Sequence, residues 1–161
     1  YLLHPPVLEG VGLGVALQSY VHGFSKRTAI SVDLELPPNL GRLSSDVELV
    51  LFRVIQEALT NIWRHSGSKT ARIHMVRQVW EGRPLIRLNI EDEGKGIPKN
   101  IRSSTLLTSN SRQPVPSGLG LIGMRERLHQ IGGQLEIDSD AGKTVIRAIV
   151  TLNSEPEQER A

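Results

Sequence analysis

The sequence contains no cysteine, few aromatic residues and no large excess of charge of either sign. Without cysteine, a disulfide scaffold, a thiolate nucleophile and a cysteine-ligated metal centre are all excluded. Nineteen Lys and Arg residues against seventeen Asp and Glu give a formal net charge of +2, which is too balanced for a surface that neutralises nucleic-acid phosphates. The longest apolar run covers only residues 49–52, far short of the ~20 residues that a membrane-spanning helix needs.

The length and composition predict a single globular domain. The chain has 161 residues, of which 39% are hydrophobic, enough to bury a sizeable core. It opens on Tyr1 without a methionine or a signal-peptide pattern. We therefore expect it to be a piece of a longer protein.

Apolar periodicity predicts three helices and five strands. The short turns between consecutive strands indicate hairpins, and the helices must cover one face of the resulting sheet. The expected fold is therefore an α+β two-layer sandwich with a mixed, mostly antiparallel sheet. The predicted elements are a helix over residues 9–24, a strand over 30–36, a helix over 44–65, strands over 71–79 and 86–90, a helix over 119–131, and strands over 135–137 and 144–152.

The long helix carries four polar residues on one side of its apolar stripe. Glu57, Asn61, Arg64 and His65 are spaced i, i+4, i+7 and i+8, which confines them to an arc of about 100° on an ideal α-helix. The Asn61 amide oxygen suits Mg²⁺, the Glu57 carboxylate can hold a metal-bound water, and the Arg64 guanidinium can pair with phosphate. An ordinary polar helix flank would give the same pattern.

Asp92 follows a strand and shares the parity of its apolar residues, so its carboxylate is expected to face the interior. A buried carboxylate needs hydrogen-bond donors. Gly94 and Gly96 would let a flat ring approach closely, and an exocyclic amine on that ring would satisfy Asp92. This pattern favours adenine over guanine, although a plain Asp-Gly turn is the simpler alternative.

Two further features could complete a nucleotide site. Gly118 and Gly120 lie in a glycine-rich turn that leads into a helix, where free N–H groups and the helix dipole favour phosphate. The turn is not a P-loop, because no Gly-Lys-Ser/Thr follows it. Thr144 has inward parity on the last strand and would place a hydroxyl near the same interior, although a β-branched strand residue needs no special role.

These segments resemble, in order and distance, the nucleotide-binding domain of sensor histidine kinases, in the superfamily of gyrase, heat-shock chaperone, histidine kinase and mismatch-repair ATPases. Residues 51–66 resemble the family's N box, Asp92-x-Gly94-x-Gly96 its first glycine box, and residues 118–127 its second. The Gly-Met-Arg-Glu-Arg string at residues 123–127 is similar to the NarL-like branch. The resemblance implies the Bergerat ATP-binding fold with a mobile ATP lid, which we place at the Ser-, Thr- and Pro-rich residues 98–117.

The resemblance also implies roles for individual residues, with ATP and Mg²⁺ as the ligands. Asn61 would ligate Mg²⁺, and Glu57 would hold its water shell or assist proton movement. Asp92 would accept a hydrogen bond from the adenine amine, and the Thr144 hydroxyl would assist directly or through water. The remaining implied contacts are Arg64 and His65 with phosphate or ribose, Gly94, Gly96 and Ile97 with the purine, and Gly118, Leu119, Gly120 and Leu121 with the phosphates.

The implied reaction is transfer of the ATP γ-phosphoryl group to a histidine, for relay to an aspartate of a response regulator with a helix-turn-helix output domain. The acceptor histidine of the family is followed by an acidic residue, and none of the five histidines here is. We therefore expect the acceptor on a dimerisation domain that precedes this chain. Two alternatives stay open, namely an ATPase or serine kinase of the anti-sigma-factor type and a degenerate binding module.

The same resemblance gives an expected domain division and cellular setting. Residues 1–28 would be a linker and first helix continuing from the dimerisation domain, residues 29–153 the catalytic and ATP-binding domain, and residues 154–161 a polar tail. We expect a cytoplasmic domain that makes no direct contact with nucleic acid and belongs to a homodimeric parent. Two departures from the family pattern are Lys143 where a small residue is common and the lack of a phenylalanine motif in the lid.

Overall fold

A computed structural model describes residues 6–97, 120–140 and 142–153. Their five strands form one sheet in the order β1-β2-β3-β5-β4, and the helices pack on one of its faces around a common core. This confirms the predicted α+β two-layer sandwich. The elements are α1 (Pro6–Thr28), β1 (Ser31–Glu35), α2 (Ser45–Asn61), a π-helical turn (Ile62–Ser66), β2 (Thr70–Trp80), β3 (Arg83–Asp92), α3 (Leu121–Gln130), β4 (Gly133–Ser139) and β5 (Thr144–Thr151).

The sheet is mixed because one connection crosses it. β1 and β2 pair in parallel, whereas the β2–β3, β3–β5 and β5–β4 pairs are antiparallel. A parallel pair needs a long crossover connection, and α2 with its following turn supplies it. The end of α2 therefore leads into the start of β2, where Ala71 pairs with Asp92 at the end of β3. The predicted site residues at the end of α2 and those around Asp92 therefore lie at the same end of the sheet.

The two faces of the sheet differ in chemistry. The inner face is apolar, with rows such as Ile73, Ile90, Ile146 and Ile137 on neighbouring strands. The last row of paired residues on this face is polar instead of apolar. It consists of Asp92, Thr144 and Ser139, all less than 10% exposed. The outer face bears half-exposed ion pairs, namely Asp33 with Arg72 at 3.7 Å, Glu91 with Lys143 at 3.4 Å and Glu136 with Arg147 at 3.0 Å.

α1 is interrupted at Gly12, whose φ of +84° and ψ of +176° are not helical. The sequence pattern predicts one apolar stripe on this helix that includes Val11, Leu13, Val15 and Leu17, and that prediction is wrong. Both valines are about half exposed, whereas both leucines are fully buried. At ~100° per residue, Val15 lies on the side of the helix opposite Leu13 and Leu17, and the non-helical Gly12 separates Val11 from all three.

An ion pair between the buried Glu48 and the half-exposed Arg42 lies at the start of α2. The Glu48 carboxylate, 1% exposed, accepts two hydrogen bonds from Arg42 at 3.0 and 3.2 Å and one from the Leu43 N–H at 3.1 Å. Arg42 also donates to the Glu9 carbonyl and packs against Gly12. The Ser44-Ser45-Asp46 segment predicts a side-chain cap for this helix, but Ser44 makes no such hydrogen bond.

Some predictions remain untested by the fold. The predicted lid, residues 98–117, and the tail, residues 154–161, lie outside the described residues. The domain boundary after residue 28 stays a prediction, although Leu13 and Leu17 of α1 belong to the common core. Within the described part of the chain, no helix combines the length and apolarity needed to cross a membrane.

Candidate functional site

The end of α2 is widened by a π-helical turn. The α-helix stops at Asn61, the chain continues through Ile62–Ser66 with π-helical geometry, and Gly67 ends it with a φ of +75°. Glycine suits that position because it tolerates the left-handed region. π-helical turns are rare and occur frequently at functional sites.

The π-helical turn contains two of the residues that were expected to share one arc. That expectation assumed α-helical spacing, which ends at Asn61, so the arc stays a prediction for Arg64 and His65. Both side chains are exposed, and the Arg64 guanidinium lies 5.8 Å from the centre of the exposed Trp63 ring. A role for either residue with phosphate or ribose stays a prediction.

Glu57 and Asn61 are half-buried on consecutive turns of α2. Gly120, with a φ of +60°, caps the start of α3 and lies against the Glu57 carboxyl group. A β-carbon at position 120 would overlap the Glu57 side chain in its present position, and the positive φ favours glycine there. The predicted N box and second glycine box therefore meet in space.

Asp92 faces the inner side of the sheet, as its parity predicts, and is 7% exposed. Its Oδ1 accepts a hydrogen bond from the Gly94 N–H at 2.9 Å. Burial raises the pKa of this carboxyl group above its ordinary value, while the Gly94 N–H and the Ser66 hydroxyl oppose that rise. The Ser66 hydroxyl has a single proton, for which the Ile62 carbonyl at 3.0 Å competes.

The loop after Asp92, residues 93–97, is fixed by hydrogen bonds from both sides. Its backbone N–H groups bind acceptors on the turn after α2, on β3 and on β4. Four N–H groups donate in this way: Glu93 to Ser68 Oγ at 3.3 Å, Gly94 to Asp92 Oδ1 at 2.9 Å, Lys95 to the Ser66 carbonyl at 2.9 Å, and Ile97 to Ser139 Oγ at 2.8 Å. This loop therefore joins the end of α2 to the far side of the sheet.

The two glycines of this loop are required by protein packing. A β-carbon at Gly94 would overlap Ser66, and one at Gly96, whose φ is +81°, would overlap the Asp140 carbonyl. The sequence predicts that these glycines let the flat ring of a purine approach the backbone. Contact with a ligand stays a prediction, because the surrounding backbone already explains both glycines.

Thr144 stands opposite Asp92 in the pairing of β3 with β5 and is 4% exposed. Its Oγ1 lies 2.8 Å from Ser139 Oγ, on the next strand. The predicted inward direction of the Thr144 hydroxyl is thus observed. The hydroxyl and the carboxylate occupy neighbouring places in one row.

Of the other predicted contact residues, Ile97 is half-buried and Leu121 is buried at the first position of α3. Gly118 and Leu119 lie outside the described residues.

The residues present fit ATP and Mg²⁺. Mg²⁺ usually takes one or two protein oxygens and completes its shell with water and substrate phosphates, and Asn61 with Glu57 offers such a set. The described residues contain no cluster of three or more His, Cys, Asp or Glu that could hold a metal by itself. Asp92 and Thr144 offer an acceptor and a hydroxyl at the end of an apolar face, as a purine edge requires.

Three buried serines that support the backbone around this site were not predicted. Ser66 and Ser68 follow α2, and Ser139 ends β4; each is 7 to 9% exposed. The alternation of Leu135 and Ile137 on β4 placed Ser139 inward. No comparable periodicity marks Ser66 and Ser68, whose positions depend on the π-helical turn.

Residues 46–155 match the family described as "Histidine kinase-, DNA gyrase B-, and HSP90-like ATPase". The sensor histidine kinase LiaS of Bacillus subtilis is 33% identical over 141 residues, which make up 88% of this chain and 34% of LiaS. The sensor histidine kinase MctS of Rhizobium johnstonii is 30% identical over 92% of this chain and 29% of its own length. The histidine-protein kinase/phosphatase DegS of Brevibacillus brevis is 31% identical over 96% of this chain and 36% of its own. The chain thus spans about a third of these relatives.

The fold has a solved counterpart. The histidine kinase domain of a blue-light activated histidine kinase from Erythrobacter litoralis superposes with a TM-score of 0.64 at 20% identity, over 87% of this chain and 65% of that one. Such identity supports the fold alone. The family match covers more than half of the sequence and includes both predicted ends of the site, and the chain therefore belongs to the histidine kinase-, DNA gyrase B- and HSP90-like ATPase family.

Proposed function

We propose that this chain is the ATP-binding catalytic domain of a sensor histidine kinase. The observation that carries the proposal is Asp92, a carboxylate buried at the end of an apolar face. Within the described residues no basic side chain pairs with it. A carboxylate buried in this way has capacity for a donor that a ligand brings.

The purine end of the site favours adenine. The exocyclic amine of adenine donates a hydrogen bond, whereas guanine presents a carbonyl oxygen at the same place. A carbonyl facing the Asp92 carboxylate would leave both acceptors without a proton and would be repelled. ATP is therefore the ligand that this end selects.

The metal end lies at Asn61, Glu57 and the start of α3. Asn61 and Glu57 would hold Mg²⁺ and its water, while the N-terminal N–H groups of the ten-residue α3 would face the phosphates. When bound, Mg²⁺ neutralises charge on the phosphates. Glu57 would orient a metal-bound water, and Gly120 gives Glu57 the room it occupies.

The proposed reaction transfers the γ-phosphoryl group to a histidine of the parent protein. The bond between the γ-phosphorus and the β,γ-bridging oxygen breaks, a phosphorus–nitrogen bond forms, the imidazole proton goes to solvent or a base, and ADP leaves. Positioning and charge neutralisation supply most of the catalysis. The acceptor lies outside this chain, since none of its five histidines precedes an acidic residue.

The partners follow from that reaction. We propose a dimerisation domain that carries the histidine, a homodimeric parent, and a response regulator with a helix-turn-helix output domain that receives the phosphoryl group. The domain itself would act in the cytoplasm without touching nucleic acid. The likeness to LiaS and DegS supports the proposed placement in the NarL-like branch.

Calorimetric titration with ATP and Mg²⁺ tests the site. The wild-type chain should give a saturable heat, and Asp92→Ala and Asn61→Ala should each weaken binding by about 10-fold or more, since a charged or metal-linked contact contributes ~1.5–3 kcal/mol. Asp33→Ala, which removes an exposed carboxylate on the outer face, is the matched control and should bind as wild type does. Equal heats from wild type and Asp92→Ala would end the proposal.

A second experiment separates the histidine kinase from the serine kinase of the same fold. The chain is incubated with γ-labelled ATP and the parent's dimerisation domain, and the labelled protein is then treated with acid or alkali. Phosphohistidine is lost in acid and survives alkali, whereas phosphoserine survives acid. Acid-stable label would favour the anti-sigma-factor type of kinase, and no label on any protein would favour a simple ATPase.

A further inference from the structure

Ser139 is a buried polar residue that the proposed function does not use. It is 7% exposed and ends the polar row beside Thr144, which stands beside Asp92. β4 otherwise turns Leu135 and Ile137 toward this face. Burying a hydroxyl is unfavourable unless it is hydrogen-bonded, so its partners indicate its role.

Two of its partners are residues of the proposed site. The Ile97 N–H, at the end of the loop that follows Asp92, donates to Ser139 Oγ at 2.8 Å. Thr144 Oγ1 lies 2.8 Å from the same oxygen. Ser139 therefore links Ile97, at the end of the loop after Asp92, to Thr144. Within the described residues, the Thr144 side chain carries the only buried hydroxyl that is paired with Asp92 in the sheet.

We propose that Ser139 is a positioning residue that orients the Thr144 hydroxyl for purine recognition. The inference rests on the proposed function, because it assigns a task within the ATP site. A serine hydroxyl has one proton and two lone pairs. The hydrogen bond between Ser139 Oγ and Thr144 Oγ1 can run in either direction. In the proposed arrangement the Ile97 N–H occupies one lone pair of Ser139, the Ser139 proton goes to Thr144 Oγ1, and the Thr144 proton is left for a ligand.

This arrangement gives the row a defined hydrogen-bond polarity. Asp92 accepts and Thr144 donates, side by side on neighbouring strands. The edge of adenine offers an amine donor beside a ring-nitrogen acceptor, which is the complementary order, and guanine offers the reverse. Loss of Ser139 would let the Thr144 hydroxyl rotate, so discrimination between ATP and GTP should fall.

Ser68 provides a matched control. It is also 7% exposed and also accepts an N–H from the loop, that of Glu93 at 3.3 Å. Its proton, however, goes to the Thr70 carbonyl at 2.7 Å. Ser68→Ala therefore removes an equally buried loop contact without touching the row.

The experiment measures dissociation constants for ATP and GTP with Mg²⁺, together with thermal unfolding. The variants are Ser139→Ala, Ser68→Ala, Thr144→Val and the double variant Ser139→Ala/Thr144→Val, with Ser139→Cys as a substitute of similar volume if Ser139→Ala does not fold. Ser139→Ala should lower the ATP-to-GTP preference by about 3- to 10-fold, the range for a neutral hydrogen bond. In the Thr144→Val background, the same change should lower it by less than 2-fold.

The outcomes distinguish a role of Ser139 in orienting the Thr144 hydroxyl from a purely structural role. A fall in preference with Ser139→Ala or Ser139→Cys, no fall with Ser68→Ala and non-additivity with Thr144→Val support the inference. If Ser139→Ala lowers the unfolding temperature as Ser68→Ala does but keeps the wild-type preference, the role is structural and the inference is overturned. Full additivity with Thr144→Val overturns it too. If the wild-type chain itself does not bind ATP, the proposed function is overturned. The wild-type measurement alone shows this, so the result cannot be confused with a failure of the Ser139 inference.

Discussion

Two carboxylates are buried in the described part of the chain, and their surroundings are opposite. Glu48 accepts hydrogen bonds from Arg42 Nε, from one Arg42 Nη and from the Leu43 N–H. Asp92 accepts from the Gly94 N–H and shares the Ser66 hydroxyl, and no cation among the described residues pairs with it. Glu48 is thus satisfied by its own chain, whereas Asp92 retains a burial cost that raises its pKa.

The comparison shows how a buried charge can be assigned a role from its partners. A carboxylate with a full set of donors stabilises the native state and offers nothing to a ligand. One with an incomplete set lowers stability until a ligand supplies the missing donor. The following changes test this contrast, from the largest expected effect to the smallest.

Arg42→Ala should lower the free energy of unfolding by about 3 kcal/mol, because it leaves the Glu48 charge buried without its cation. For a domain of this size that corresponds to a fall of about 6 to 12 °C in melting temperature. ATP affinity of the folded fraction should not change. Thermal unfolding and calorimetry measure the two quantities, and a large loss of ATP affinity would show that the two carboxylates are not independent.

Asp92→Asn should lower ATP affinity by about 10- to 100-fold, since a hydrogen bond to a charged acceptor is worth ~1.5–3 kcal/mol. The new amide can donate to a carbonyl, so GTP should lose less affinity than ATP, or gain. Competition binding with both nucleotides measures this change. Equal losses for ATP and GTP would contradict a direct role of Asp92 in reading the purine.

Asp92→Asn should also stabilise the ligand-free chain at pH 7, by about 1 kcal/mol, the order of cost for an incompletely paired polar group. A raised pKa means that the folded chain holds the Asp92 proton more tightly than the unfolded chain does. Stability of the wild type therefore falls as pH rises from the ordinary aspartate value of 3.8 through the raised value. The advantage of Asp92→Asn should vanish below pH 3.8, as unfolding measured across pH would show.

Glu136→Gln should change stability by less than about 0.5 kcal/mol. Its ion pair with Arg147, at 3.0 Å, lies on the outer face with both side chains more than a third exposed, and such pairs contribute little. Denaturant unfolding at low and high salt measures the difference. An effect as large as that of Arg42→Ala would mean that exposure does not distinguish these carboxylates.

Much of the fold was predictable because its signals are local. The stripe of α2, including Leu51, Ile55 and Leu59, is buried throughout, and the alternation on β3 placed Asp92 inward. The parity of Thr144 was equally informative. Period and parity survive in the folded chain because they depend only on backbone geometry.

What could not be predicted depends on contacts between distant segments. Gly12 interrupts α1 at the point where Arg42 packs against it. The sequence around Gly12 does not indicate a contact with a residue 30 positions later. The π-helical turn likewise contains Arg64 and His65, so α-helical spacing no longer gives the directions of their side chains. Ser66 became part of the site through its contact with Gly94.

The polar row depends on the lengths of the turns between its strands. Ser139 and Thr144 are opposite each other because residues 140–143 connect them, with Asp140 binding the N–H groups of Gly142 and Lys143. A one-residue shift in the register of that hairpin would turn the Thr144 hydroxyl to the solvent side of the sheet, although every side chain of the site would be unaltered. Insertions that shift this register are therefore expected to be rare in chains that keep nucleotide selectivity.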